Sequence, residues 1–232
     1  MENQAPGQLN SSRTLATEPR LDPRLAEAFR IRDELMEERK PLPKTVNYEE
    51  ALKFCASFEK MATMIHPMLW KAMPDFPTVA SRQHHVTGVD GNAITLHIHE
   101  PLERSDALPC IVHIHGGGMV MMSAEDPNFV RWRNTLASLG MVVVGIEFRN
   151  GSGRLGNHPF PAGLNDCASG VQWVIAERER LNLFSMVISG ESGGGNLSIS
   201  TTLKAKQEGW GDAIDGVYAC CPYISGRYQS PP

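Results

Sequence analysis

Three glycine-bearing stretches hold the residue types that could do chemistry: HGGGM at 115–119, GSGRLG at 151–156 and GESGGG at 190–195. The spacing of Gly151, Gly153 and Gly156 matches the dinucleotide-binding fingerprint. That fingerprint must open a helix, which Pro159 and Pro161 forbid, and no strand ending in an acidic residue follows at the right distance. Gly190 and Gly195 have the separation of a phosphate loop, but Asn196 and Leu197 stand where the lysine and the hydroxyl must be. What remains is G-x-S-x-G, formed by Gly190, Glu191, Ser192, Gly193 and Gly194 between a strand-like run and a helix-compatible one. In such a strand-to-helix turn the residues two before and two after the serine crowd each other, so both must lack side chains. Ser192 is then an exposed nucleophile above the positive end of a helix.

Attack of a serine on an acyl carbonyl needs preorganised donors for the oxyanion that develops. His115, Gly116, Gly117 and Gly118 supply an H-G-G-G run after an apolar strand, where consecutive glycines can turn bare N–H groups toward one point. Two such motifs, in order on successive strand ends, are far more specific than either alone.

These loops need a scaffold, and the pattern around them supplies it. Strand-like runs at 110–114, 141–148, 186–189 and 217–221 alternate with helical segments at 127–139, 164–181 and 194–206. Near-continuous apolar strands alternating with helices predict an α/β fold with a mostly parallel sheet buried on both faces, whose ligands gather at the carboxyl ends of the strands. Upstream, residues 1–20 are polar and read as a mobile terminus. Residues 21–80 read as helical: Asp22 and Pro23 start one helix, and Asn47 with Glu50 caps a second. On that second helix Phe54, Phe58, Met61 and Ile65 form an apolar stripe. The core then spans 81–232 and begins with two β-runs flanking Asp90, Gly91 and Asn92, a hairpin signal.

Composition removes several function classes. The formal net charge of −4 gives no basic footprint for nucleic acid. The longest apolar run, residues 141–146, is far too short to span a bilayer, and the first twenty residues hold no apolar segment of signal-peptide length. Five scattered cysteines, odd in number, favour a reducing compartment, so a cytoplasmic location is expected. His84, His85, His97 and His99 sit at strand positions read as solvent-facing, and no cysteine or carboxylate cluster completes a metal-ligand set. No metal and no cofactor is expected.

With both motifs in place, the chain from about Arg24 onward resembles the hormone-sensitive-lipase-like branch of the α/β-hydrolases. The stretch EFRNGSGRLGNHPFPAGLNDC is similar to a stretch of that family, with counterparts at Arg149, Pro159, Pro161 and Asp166. The resemblance implies a serine carboxylesterase acting on small to medium acyl esters, with a helical cap at 21–80 whose Met and Phe stripe walls the pocket. It implies that Ser192 is the nucleophile, that the amides of Gly117, Gly118 and Gly193 form the oxyanion hole, and that His115, Gly116 and Glu191 support them. Such a protein takes a small-molecule ester as partner, and a homo-oligomer is compatible with the sequence. The family's triad runs Ser, acid, His, yet no histidine follows His158, and the acids Glu208, Asp212 and Asp215 fall where solvated surface roles are expected. The run GVYACCPYI would also be left as a bare apolar sheet edge. The catalytic acid and histidine are therefore expected beyond Pro232. A different class remains open on the same residues: a non-catalytic ligand-binding protein that keeps the hydrolase pocket and lacks the base.

Overall fold

A computed structural model describes residues 18–27, 30, 46–71 and 73–224. The chain divides into two units, residues 1–46 and 47–232. In the first, residues 23–27 are helical, and the Asp22 carboxylate accepts the Arg24 N–H at 2.8 Å, as its cap position requires. The 1–17 part of the expected terminus, and most of the helix expected after Asp22, lie outside the described residues.

The second unit opens with α1 (Tyr48–Trp70), started by the capping box read from the sequence. Asn47 Oδ1 accepts the Glu50 N–H at 2.9 Å, and the Glu50 carboxylate accepts the Asn47 N–H at 3.2 Å. Then follow β1 (Val79–Thr87), β2 (Ala93–Pro101), β3 (Leu108–Ile114), α2 (Pro127–Ser138), β4 (Val142–Glu147), α3 (Ala162–Ala176), β5 (Leu183–Glu191), α4 (Gly193–Glu208) and β6 (Gly216–Cys220). The strands form one sheet in the order β1-β2-β4-β3-β5-β6. The pairs β1/β2 and β2/β4 are antiparallel, whereas β4/β3, β3/β5 and β5/β6 are parallel. The hairpin expected around Asp90 to Asn92 joins β1 to β2, and Gly91 takes its positive φ of 76°. No helix among the described residues is long and apolar enough to cross a membrane.

The period-2 alternation of the strands separates two unlike faces. Leu96 and Ile98 of β2, Val112 and Ile114 of β3, Val144 and Ile146 of β4 and Ile188 of β5 pack with Cys167, Val171 and Val174 of α3 and Leu197 of α4. Gly170 lets α3 approach this face, for a β-carbon there would lie 2.7 Å from the Ile146 side chain. The opposite face, under α2, is polar. It carries His97 and His99 of β2, His113 of β3, Glu147 of β4 and the wholly buried Arg133 of α2. His97 and His99 are 7 % and 4 % exposed, which corrects the solvent-facing reading: α2 covers these alternate positions instead of water.

Candidate active site

The turn from β5 into α4 is built as the glycines require. A β-carbon on Gly190 would lie 2.4 Å from the Gly194 carbonyl, and one on Gly194 would lie 2.0 Å from the Ile114 carbonyl oxygen. Ser192 therefore sits at φ 53° and ψ −115°, a conformation that costs on the order of 1–3 kcal/mol and persists only where its surroundings enforce it. They do so through backbone bonds. Ser192 N–H donates to Cys220 O at 2.9 Å, and Ser192 O accepts the N–H groups of Asn196 and Tyr223 at 3.1 and 2.9 Å. The side chain of Ser192 is exposed at the N-terminus of α4.

The H-G-G-G run packs directly against this turn. Gly193 touches it so closely that a β-carbon would lie 2.7 Å from the amide nitrogens of both Gly118 and Met119. Gly117, at φ 118°, folds onto the backbone of Met121, where a β-carbon would meet the carbonyl oxygen at 2.1 Å. Gly118 lies at φ 65°. Among the described residues no acceptor takes the N–H groups of Gly117, Gly118 or Gly193. Two of these donors, on Gly118 and Gly193, thus lie side by side next to the exposed Ser192.

Glu191 and His115 brace the loop from below. One Glu191 oxygen accepts the Gly116 N–H at 2.7 Å, and the other accepts Nε2–H of His113 at 3.0 Å. Burial pushes the Glu191 carboxyl up, but the His113 hydrogen bond and charge, with the Gly116 amide, outweigh it and hold the group below its ordinary range. Burial is likewise the main influence on His113 and lowers its pKa, against the raising influence of Glu191. His115 donates Nδ1–H to Gly116 O at 2.7 Å, stacks on Phe148 at 4.2 Å and holds Nε2 3.6 Å from the Glu147 carboxylate. Glu147 also accepts the Ser123 hydroxyl and, at 2.9 Å, the Ala124 N–H. Burial raises its pKa, and the nearby His115 with the hydrogen bonds from Ser123 and Ala124 outweigh that and hold the carboxyl low.

Several contributors escape a linear reading. His113 and Glu147 lie within strands whose apolar runs read as plain core. Glu59 of α1 is buried, and its carboxylate accepts the Met122 N–H at 2.5 Å and the Arg154 N–H at 2.8 Å. A row of Cys55, Glu59 and Ala62 at helical spacing is the only hint in the sequence that this carboxylate faces inward. The glycines of GSGRLG have a structural use: Gly153, at φ 71°, makes room for Glu59, since a β-carbon would lie 2.6 Å from its carboxylate. Among the described residues the Ser192 hydroxyl makes no hydrogen bond to a histidine or a carboxylate. His158 donates its backbone N–H to Asn150 O. Glu208 pairs with Lys204 at the surface, and Asp215 accepts the Met186 N–H of β5 at 2.7 Å. No group of three His, Cys, Asp or Glu among the described residues is placed to hold a metal ion.

A tight strand-to-helix turn carrying G-x-S-x-G on a mostly parallel sheet, with a glycine loop on the adjoining strand end, defines an α/β-hydrolase fold. Residues 111–231 match the alpha/beta hydrolase fold family, and the chain belongs to it. Among solved structures it is similar to brefeldin A esterase, a bacterial homologue of human hormone sensitive lipase, with 39 % identity, a TM-score of 0.78 and coverage of 93 % of this chain and 60 % of that one. A tuliposide A-converting enzyme of Tulipa gesneriana is 27 % identical over 66 % of this chain and 42 % of its own length. A versiconal hemiacetal acetate esterase of Emericella nidulans is 34 % identical over 54 % of this chain and 41 % of its own. The chain thus spans about two-fifths of the length of these two curated relatives.

Proposed function

We propose that the protein is a serine carboxylesterase for small to medium acyl esters. Ser192 attacks the ester carbonyl, and the amides of Gly117, Gly118 and Gly193 take up the negative charge that develops on its oxygen. A histidine accepts the serine proton and returns it to the departing alcohol; water then cleaves the acyl-enzyme. His113 and His115 are engaged beneath the loop, so the base is a residue other than these two. No cofactor takes part in these steps.

The observation that carries this reading is the exposed Ser192, strained at φ 53°, next to the Gly118 and Gly193 amides, which have no acceptor among the described residues. The names of two relatives, a brefeldin A esterase and a hemiacetal acetate esterase, support ester cleavage as the reaction class. The test is a Ser192→Ala variant of the full-length protein, assayed with p-nitrophenyl esters and a fluorophosphonate probe. The expected result is a labelled, active parent and a variant that is unlabelled and slower by roughly 10,000-fold or more. Labelling that persists in Ser192→Ala, or a parent that binds esters without turnover, would overturn it.

A further inference from the structure

The loop that presents the Gly117 and Gly118 amides is held only in part by its own bonds, from the Val120 and Met121 N–H groups to Gly117 O. Besides its glycines, it keeps two residues with side chains in the left-handed region, Met119 at φ 64° and Met122 at φ 75°. Beyond Glu191 and His115 at its Gly116 end, three groups tie down the rest of the loop. Gly151 N–H donates to Met119 O at 2.9 Å, Asn150 Nδ2 donates to Met122 O at 2.7 Å, and Glu59 accepts the Met122 N–H at 2.5 Å. Of these only Glu59 is charged, and only Glu59 comes from α1. Its second oxygen takes the Arg154 N–H at 2.8 Å, so one buried carboxylate clamps the loops after β3 and β4 together. Arg154 reinforces the clamp through an ion pair with Asp126 at 2.6 Å.

We infer that Glu59 is a positioning residue for the oxyanion-binding amides, which makes α1 part of the machinery that sets the rate. This inference rests on the esterase reading above. Both Glu59 oxygens accept from backbone N–H groups, a pattern that only a carboxylate satisfies. Glutamine would keep the shape, but its amide NH₂ would face one N–H donor and leave it unpaired. A slackened Met122 lets the amides of Gly117 and Gly118 drift from the point where charge develops. Ground-state binding, which involves the acyl and alcohol groups, is left alone.

The test compares Glu59→Gln and Gly153→Ala with the parent, all full length, in steady-state kinetics on a p-nitrophenyl ester and in fluorophosphonate labelling of Ser192. The expected result is a kcat lower by on the order of 10- to 100-fold, a KM within about twofold, and a labelling rate that falls in parallel. Gly153→Ala presses on the carboxylate without removing it, and it decides the matter should Glu59→Gln fail to fold. A lowered Tm with unchanged kcat would make Glu59 merely structural and overturn the inference, as would a change confined to KM. A parent that is neither labelled nor active overturns the esterase reading itself, and an active parent with unaffected variants overturns the role of Glu59 alone.

Discussion

Gly190 and Gly194 face each other across the turn from β5 into α4 so closely that a β-carbon on Gly190 would lie 2.4 Å from the Gly194 carbonyl carbon and oxygen. Neither neighbour can yield, because the obstructing atoms are backbone. Gly194 is the tighter of the two: its β-carbon would also sit 2.0 Å from Ile114 O, so α4 would have to lift away from β3. Gly194→Ala is expected to destabilise the protein by about 3 kcal/mol or more and Gly190→Ala by about 1–3 kcal/mol. Chemical denaturation of the two variants checks the order, and a Gly194→Ala protein of parental stability would contradict this geometry.

The glycines of the loop after β3 separate by the same test. A β-carbon on Gly117 would strike Met121 O at 2.1 Å, whereas one on Gly118 would meet only the Val120 side chain at 3.6 Å. Gly117→Ala should therefore lower kcat/KM by about 100-fold or more, since the whole loop must shift. Gly118→Ala, strained by its φ of 65° but with room for the methyl, should stay within about tenfold of the parent. Gly118→Pro removes the N–H and also forces φ from 65° to about −65°, so it should cost more than the roughly 100- to 1000-fold in turnover of one lost donor. Steady-state kinetics on one ester series measures all three, and equal losses in Gly117→Ala and Gly118→Ala would count against the loop.

What the sequence made legible is what spacing alone controls. Glycines two residues either side of Ser192, a glycine run closing a strand and the Asn47 and Glu50 box each encode a local backbone shape, and each takes that shape. The buried charges were not legible, because their partners lie far away in the chain: Glu59 meets Met122 and Arg154, and Glu191 meets His113. Strand alternation puts His97 and His99 on one face of the sheet but does not say whether water or a helix covers it. Only the docking of α2, with Arg133 laid over Gly145, determines that. The dinucleotide-like spacing of GSGRLG was a local signal of positive φ serving a different end.

The polar face under α2 makes the fold sensitive to acid. Burial, with help from Arg133, lowers the pKa of His99 from 6.5 to about 4, and burial lowers those of His97 and His113 as well. As pH falls below 6.5 the unfolded chain takes up protons that these folded histidines refuse, so stability is complete above pH 6.5 and is lost as pH falls toward the folded pKa values. Between pH 6.5 and 5 the His99 contribution alone is on the order of 2 kcal/mol. Glu147 and Glu191, held low in the folded state, add a further loss below their ordinary value of 4.5. Melting curves should show Tm falling by about 4–8 °C from pH 7 to pH 5. A flat Tm over that interval would contradict this account.

Removing the cation beneath the sheet separates its two effects. Arg133 is wholly buried, with two guanidinium nitrogens that find no hydrogen-bond partner among the described residues and a third donating to Ala124 O at 2.7 Å. Burial lowers its pKa to about 10, against the raising influence of Glu147, Glu191 and Glu125, so it stays charged at neutral pH. Its charge helps depress His97, His99 and His113. In Arg133→Met these histidines regain part of their basicity, so the difference in bound protons between folded and unfolded chains narrows. The carboxylates at the same time lose a neighbouring cation, and a cavity-prone apolar chain replaces a guanidinium packed on Gly145. The Tm of Arg133→Met should therefore fall less steeply than the parent's between pH 7 and pH 5. A parallel pair of Tm curves would show that Arg133 does not set the acid response, and a steeper variant curve would place the titration on the carboxylates instead of the histidines.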